Sequence, residues 1–365
     1  MNHRLRQKNL ELQAESDDLG ALLIANLTNV RYLCGFTGSS GALAFCRGRW
    51  AFFTDGRYSK QAEMQVRGAS IHIGAGPPPI IAARWIAERL RRDGTKLGIE
   101  AEHISIATKD RIRAELRSVA RTARYHVVPT MGMVERLRIK KEAAETTQIR
   151  RAVTLASGIF SSLVHKIRSG TSENEVAAEL EYLARRAGAE KMSFETIVAS
   201  GPNSALPHAR PTRRKIQRGF VVLDYGVILG GYCSDMTRTV WVGPASKEAA
   251  RIYSAVRESQ LAGIDAVKAG VEAQTVDAAA RNVLRKHKLD KYFTHSLGHG
   301  VGLEIHEAPR LAKGQTQKLE AGMVVTIEPG VYIPDSGGVR IEDMVLVTEN
   351  GCKVLTPTPK ELIVR

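Results

Sequence analysis

The chain has 365 residues, 43% of them hydrophobic and 25% charged, an ordinary balance for a globular protein and enough length for two cores. No apolar run approaches the roughly 20 residues that cross a membrane, and the basic start from Met1 to Lys8 leads into Glu11, Glu15, Asp17 and Asp18 without the apolar stretch of a secretory signal, so the expected compartment is the cytoplasm. The formal charge of +15 is spread out, +10 by Lys140 and +5 beyond it, and the densest basic cluster, Pro211 to Lys215, has few aromatics around it, so nucleic acid is not an expected partner.

In chain order, residues 21–25, 41–46 and 50–54 read as strands, 58–66 as a helix, 70–73 as a strand, 80–92 as a helix, 96–100 as a strand, 108–119 as a helix and 124–128 as a strand. This alternation predicts an α/β domain. It holds no glycine-rich dinucleotide or phosphate loop. Cys34, Cys46, Cys233 and Cys352 are too widely spaced for a zinc finger or a disulfide framework and are expected as reduced thiols. A charged helical stretch from Glu135 to Glu142 leads into a long amphipathic run from Thr146 to Arg168. The domain boundary is expected there, giving 1–134 and 135–365. Ser172 with Glu175 forms a capping box that opens a second helix through about Ala187, and 254–268 and 271–286 predict two more helices. A helix pair followed by a hairpin thus occurs twice.

The hairpins carry the chemistry. Phe220 to Gly226 and Tyr232 to Val242 are strand-like and flank Gly230-Gly231, a strong turn signal. With that pair as the turn, Leu229 faces Tyr232, Asp224 faces Thr237, and Asp235 lies diagonally from Asp224 on the same face. A four-residue loop would instead put the two aspartates directly opposite. Either register turns both carboxylates to one side, within the roughly 5 to 8 Å that a metal pair can bridge. Met323 to Ile333 and Val339 to Val347 repeat the device, and a turn centred on Asp335 sets Glu328 opposite Glu342 with Arg340 on their face.

Four acids in sequence that reads as core need compensating cations, because an unpaired buried charge costs several kcal/mol by rough estimate. His299, between Gly298 and Gly300, supplies an imidazole, and His295 four residues earlier is not its helical partner because the glycines disfavour a helix. A lone aspartate in a hairpin is usually a turn or surface residue; it is the five together that point to a metal site. Two divalent ions would neutralise the four carboxylates. Oxygen-rich ligation with one imidazole and no thiolate favours manganese, cobalt or iron, with zinc next. A pair about 3.5 to 4 Å apart acidifies a bridging water and polarises a carbonyl, which is hydrolytic chemistry.

The segments His295 to Glu307, Leu223 to Gly226 with Ser234 to Thr239, Glu328 to Tyr332 and Val339 to Asp343 resemble the pita-bread metallopeptidases. That family includes methionine aminopeptidases, Xaa-Pro aminopeptidases, prolidases and the metal-free creatinases. Asn29 to Leu33, Gly35 to Gly38 and Phe53 to Tyr58 are similar to the N-terminal domain of its Xaa-Pro peptidase and creatinase branch. The resemblance implies an α+β chain, with a creatinase/prolidase-type α/β domain ahead of a pita-bread domain of two pseudo-twofold halves. It also implies that Asp224 holds one metal, that Asp235 and Glu342 bridge two, and that His299 and Glu328 complete the second, with manganese preferred. Glu328 would shuttle a proton, and His208 and His306 would stabilise the oxyanion or hold substrate. His295 would line the pocket, and Arg340 with Tyr332 would contact substrate and steady the bridging carboxylates.

The implied enzyme is a homodimeric Xaa-Pro aminopeptidase using a hydroxide bridged between two ions, with proline-containing peptides as substrates. The alternative is an Xaa-Pro dipeptidase restricted to dipeptides. Creatinase-like hydrolysis of a guanidino compound is disfavoured by the complete ligand set, as is a non-catalytic binding module on the same fold.

Overall fold

The computed structural model describes residues 1–90, 94–119 and 125–365. It divides into two compact units, Met1–Arg138 and Ile139–Arg365. Arg91 and Arg92, at the end of the expected 80–92 helix, and Arg124, at the start of the expected 124–128 strand, lie outside the described residues.

The first unit runs α1 (His3–Ser16), β1 (Ala21–Ile24), α2 (Leu27–Cys34), β2 (Ala42–Cys46), β3 (Arg49–Thr54), α3 (Ser59–Gln65), β4 (Ser70–Ile73), α4 (Pro78–Arg89), β5 (Thr95–Glu100), α5 (Ile106–Val119), β6 (Tyr125–Thr130) and α6 (Met133–Arg138). Its six-stranded mixed sheet has the order β4-β3-β2-β1-β5-β6. The fold is the expected α/β alternation with two further helices. Helix α1 shows only Leu10 and Ala14 as buried apolar residues, and α2 is an eight-residue helix opened by Asn26, whose side chain accepts from Thr28 N–H. The weak apolar periodicity of α1 and the short length of α2 are easily read as loop.

The second unit opens with α7 (Ala143–Leu163) and α8 (Glu173–Arg186). It continues through β7 (Lys191–Met192), β8 (Ile197–Ser200), β9 (Gly219–Tyr225), β10 (Val227–Leu229), β11 (Tyr232–Cys233) and β12 (Met236–Val242). A second helix pair, α9 (Lys247–Asp265) and α10 (Ala273–Lys286), precedes β13 (Gly298–Gly300), β14 (Glu307–Leu311), β15 (Val324–Ile327), β16 (Gly330–Ile333), β17 (Gly337–Arg340), β18 (Asp343–Thr348), β19 (Gly351–Val354) and β20 (Ile363–Val364). The Ser172 capping box is present at α8. Helix α9 begins seven residues before the expected Ser254, because Ser246 caps it by accepting from Ala249 N–H. The charged 135–142 stretch is not one helix: α6 ends at Arg138 and α7 begins at Ala143 under a capping box of Glu142 and Glu145.

The unit is built from two similar halves. Each packs its helix pair on an antiparallel meander, β8-β9-β12 in one half and β13-β15-β18 in the other. Equivalent backbone links close both helix pairs. Gly170 N–H donates to Ile216 O and Gly270 N–H to Leu319 O, and isolated bridges join Ser172 to Lys215 and Glu272 to Lys318. Both glycines take a positive φ, +88° and +84°, which glycine adopts without steric cost. One apolar core fills each half, the first around Phe160, Leu180 and Val221, the second around Val256, Leu284 and Ile327. Among the described residues, no helix is long and apolar enough to cross a membrane.

Candidate metal centre

Both hairpin registers are those the turn chemistry predicts. Leu229 pairs with Tyr232 and Asp224 with Thr237. Across the second turn Val331 pairs with Val339 and Ile333 with Gly337, and Ile327 pairs with Asp343 where the strands move to the neighbouring sheet. That pairing keeps Asp335, at φ +59°, on the turn axis and Glu328 facing Glu342. Two glycines permit the close approach of chains beside the ligand positions. A Cβ on Gly226 would lie 1.7 Å from Ser234 O, and one on Gly298 would lie 2.0 Å from Thr326 O.

Asp235, His299 and Glu342 each bring one ligating atom to within 4.8 Å of the others. Glu328 joins them, its Oε1 3.4 Å from His299 Nε2. Asp224 lies on the wall of the same cleft, but its Oδ2 is taken by the Arg340 guanidinium at 2.5 Å. The cleft measures about 1160 Å³, and these five residues line it together with His208, His295, His306, Arg310 and Arg340.

This arrangement is electrostatically incomplete. Burial drives the Asp235 carboxyl well above its ordinary range, and the charges of Asp224 and Glu328 push it further. Burial does the same to Glu342, assisted by Asp235, Glu328 and Asp224. Glu328 is pushed up to about 8, chiefly by burial, with Arg340 opposing and Asp224 assisting. Asp224 Oδ1 and Glu342 Oε1 are buried without a hydrogen-bond partner, a state that natural interiors rarely tolerate. Burial also lowers the His299 pKa to about 4, so the ring is neutral at neutral pH. Its Nδ1 lies 3.0 Å from Gly300 O. A carbonyl only accepts, so Nδ1 carries the proton and Nε2 turns its lone pair toward Asp235 Oδ2 at 3.6 Å and Glu328 Oε1. Lone pairs facing one another across such short gaps fit divalent cations among them, with the Gly300 carbonyl fixing the tautomer of a histidine ligand.

Support around the site comes from groups that the sequence reading passed over. Thr237 Oγ1 donates to Glu342 Oε2 at 2.7 Å, and Thr326 Oγ1 donates to Glu328 Oε1 at 3.2 Å. The available signal was period two on a strand: Thr237 lies two residues from Asp235, and Thr326 two from Glu328. Behind Glu342, Arg238 donates to its carbonyl and pairs with the buried Asp343 at 2.7 Å.

Two expectations change. Arg340 steadies Asp224 directly rather than either acid expected to bridge, and it reaches Glu342 only through Thr237, to whose Oγ1 its Nε donates at 3.1 Å. Tyr332, expected at the substrate, is 5% exposed and stands behind His295. Its hydroxyl accepts from Arg340 and donates to His295 Nε2 at 2.8 Å, and among the described residues it is not one of those that line the cleft. His295 itself lines the cleft, neutral because burial lowers its pKa to about 3 with Arg340 assisting. His208 and His306 line the cleft with exposed rings, and the His306 ring stands edge-on to His299 with centroids 4.5 Å apart.

A model of metallopeptidase family M24 matches residues 147–349, and a model of the creatinase/prolidase N-terminal domain matches residues 6–140. An Xaa-Pro dipeptidase of Pyrococcus horikoshii is 37% identical over 352 residues, covering 96% of this chain and 96% of that protein. The solved structure of an Xaa-Pro dipeptidase from Bacillus anthracis is 38% identical with a TM-score of 0.91, covering all of both chains. That of an X-Pro aminopeptidase from Thermotoga maritima is 33% identical with a TM-score of 0.86, covering 97% of this chain and 100% of the other.

Proposed function

This chain belongs to metallopeptidase family M24, and from that premise we propose that it is an Xaa-Pro dipeptidase acting through two divalent metal ions. The observation that carries the proposal is the convergence of Asp235, His299, Glu328 and Glu342 with unpaired lone pairs facing inward. The full-length likeness to Xaa-Pro dipeptidases supports the substrate. A second reading, an Xaa-Pro aminopeptidase taking longer peptides, is favoured by the size of the cleft, about 1160 Å³, and by the likeness to the Thermotoga enzyme.

Asp224 would hold one ion, Asp235 and Glu342 both, and His299 with Glu328 the other, with manganese first among the metals that suit such donors. Bound there, the ions would supply Lewis acidity toward a water molecule and a carbonyl oxygen. The residues of the chain supply the rest. A bond to proline is a tertiary amide, so its nitrogen must gain a proton to leave as a secondary amine. Glu328, whose carboxylate lines the cleft, takes one from the water and delivers it to that nitrogen. His306 and His208, at the exposed edge of the cleft, donate to the oxyanion and orient the peptide. Arg340 fixes Asp224 in place, and through Tyr332 it holds the ring of His295. A homodimer in the cytoplasm completes the reading.

The test is cleavage of Ala-Pro against Ala-Pro-Ala by manganese-loaded protein. Cleavage of the dipeptide alone is the expected result. Cleavage of both selects the aminopeptidase, and cleavage of neither removes the Xaa-Pro assignment.

A further inference from the structure

We propose that Glu173 is a positioning residue for the reaction: its buried carboxylate pins both ends of the 200–212 connection and so sets where His208 stands in the cleft. The inference rests on the role given to His208 above. Glu173 is the first residue of α8 and is fully buried. Its Oε1 accepts from Ser200 N–H at 2.6 Å and Ser200 Oγ at 2.8 Å, and its Oε2 from Asn203 Nδ2 at 2.9 Å, Thr212 N–H at 3.0 Å and Thr212 Oγ1 at 2.6 Å. A carboxylate is retained in an interior only where donors replace its water. Here five donors do so, and all of them belong to the connection that carries His208. The N-terminus of α8 adds a favourable dipole.

The twofold plan of the unit provides an internal control. In one half Glu173 N–H donates to Arg214 O and Asn174 N–H to Thr212 O; in the other, Ala273 N–H donates to Gln317 O and Gln274 N–H to Gln315 O. The backbone is the same, yet the position of Glu173 is taken by Ala273, also fully buried. Folding a helix N-terminus onto this strand connection therefore needs no acid. Both connections reach the cleft, but the one in the second half, which brings His306 and Arg310 there, is held by β14 paired with β13, whereas the one that brings Pro207, His208, Ala209, Arg210 and Pro211 there has no such strand and has the acid.

The opposite side of the connection is tied to the catalytic hairpin. Gly338 N–H donates to Ser204 Oγ at 2.8 Å, and Arg340 donates to Pro207 O at 3.3 Å. Among the described residues, no hydrogen bond holds the His208 ring, so its place follows from its backbone. That backbone is stretched between Glu173 and the hairpin that bears Arg340 and leads into Glu342. Releasing the Glu173 end leaves the metal ligands untouched and lets His208 drift, and a displacement of about 1 Å at a catalytic group can cost about 100-fold in rate.

The experiment compares manganese-loaded wild type, Glu173→Gln, His208→Ala and the double variant on Ala-Pro, with metal content and amide exchange across 200–212 measured in parallel. The amide of glutamine keeps the shape and replaces one acceptor oxygen with a donor. The expected result is a fall in kcat of about 10- to 100-fold, faster exchange in 200–212, unchanged metal content, and a double variant no slower than His208→Ala within about threefold, as coupled positions require. Wild-type kcat in Glu173→Gln, or losses that multiply in the double variant, overturns the proposal. Should Glu173→Gln fail to fold, Thr212→Val removes a single donor, and unchanged turnover and exchange there also overturn it. Intact Ala-Pro with wild-type enzyme would sink the substrate assignment instead, and the exchange of 200–212 alone would then decide the clamp.

Discussion

The half of the second unit from Ala143 to Val242 and the half from Lys247 to Thr348 share a helix pair, an antiparallel meander and the same glycine at the same helix junction. They share their acids too: Asp224 and Asp235 from one hairpin, Glu328 and Glu342 from the other. They differ in what surrounds those acids. The second half contributes His299 from β13, whereas Ile197 of β8 pairs with Asp224 in the first half and offers no ligand. The first half contributes His208 on its long connection and the buried Glu173 beneath it, where the second has Ala273. Features common to both halves thus account for the scaffold and the paired carboxylates. On the proposed reading the symmetric cradle would hold the ions, and the unequal histidines would make one side of it a place for substrate.

The sharpest way to break this comparison is to remove an acid that the two halves hold in common. Asp235→Ala should lose metal and lower kcat/KM on Ala-Pro by at least about 1000-fold, beyond the 10- to 100-fold usual for groups that only support ligands. Full activity with bound metal would show the acids to be structural. Replacing a cleft histidine that is not an expected ligand should act differently: His306→Ala is expected to lower kcat by about 100-fold with metal content unchanged, as read by elemental analysis. Metal loss there would make His306 a ligand. Smaller still is Thr237→Val, which keeps the shape of a strand residue but removes the donor to Glu342 Oε2; about tenfold weaker metal binding is expected, by titration with manganese.

The acids also predict how the metal-free protein responds to pH. The folded-state pKa of Glu328 is raised from 4.5 to about 8, so its contribution to stability is fully present below about pH 4.5 and is lost as pH rises through about 8. Asp235 and Glu342 shift in the same direction. Thermal unfolding of the metal-free protein should therefore move to lower temperature across that window, and saturating manganese should reverse the trend. A midpoint that stays flat with pH and metal alike would mean that the carboxylates do not share one field.

Much of this site is legible in the sequence because it is set by turn chemistry. Gly230-Gly231 and Asp335 each fix a hairpin axis, and period two then assigns every side chain on the four strands to a face. His299 reads as a ligand because its flanking glycines exclude a helix and permit close chains. The partners of Arg340 are not legible, since a guanidinium on the right face can reach several acids, and only packing brings it to Asp224 rather than to Asp235 or Glu342, the pair expected to bridge. Tyr332 enters through the resemblance alone, which does not show that His295 stands in front of it. Thr237 and Thr326 hide among the many threonines that favour strands. Glu173 hides as one more acid in the first turn of a helix, where acids are common, and only the opposing Ala273 sets it apart.

The account turns on one measurement: the molar ratio of divalent metal bound by purified protein after removal and reloading with manganese, taken for wild type and Asp235→Ala together. Two equivalents in the wild type, with both lost or sharply weakened in the variant, is the predicted result. Wild-type protein that binds none, or a variant that binds as much as the wild type, would contradict it.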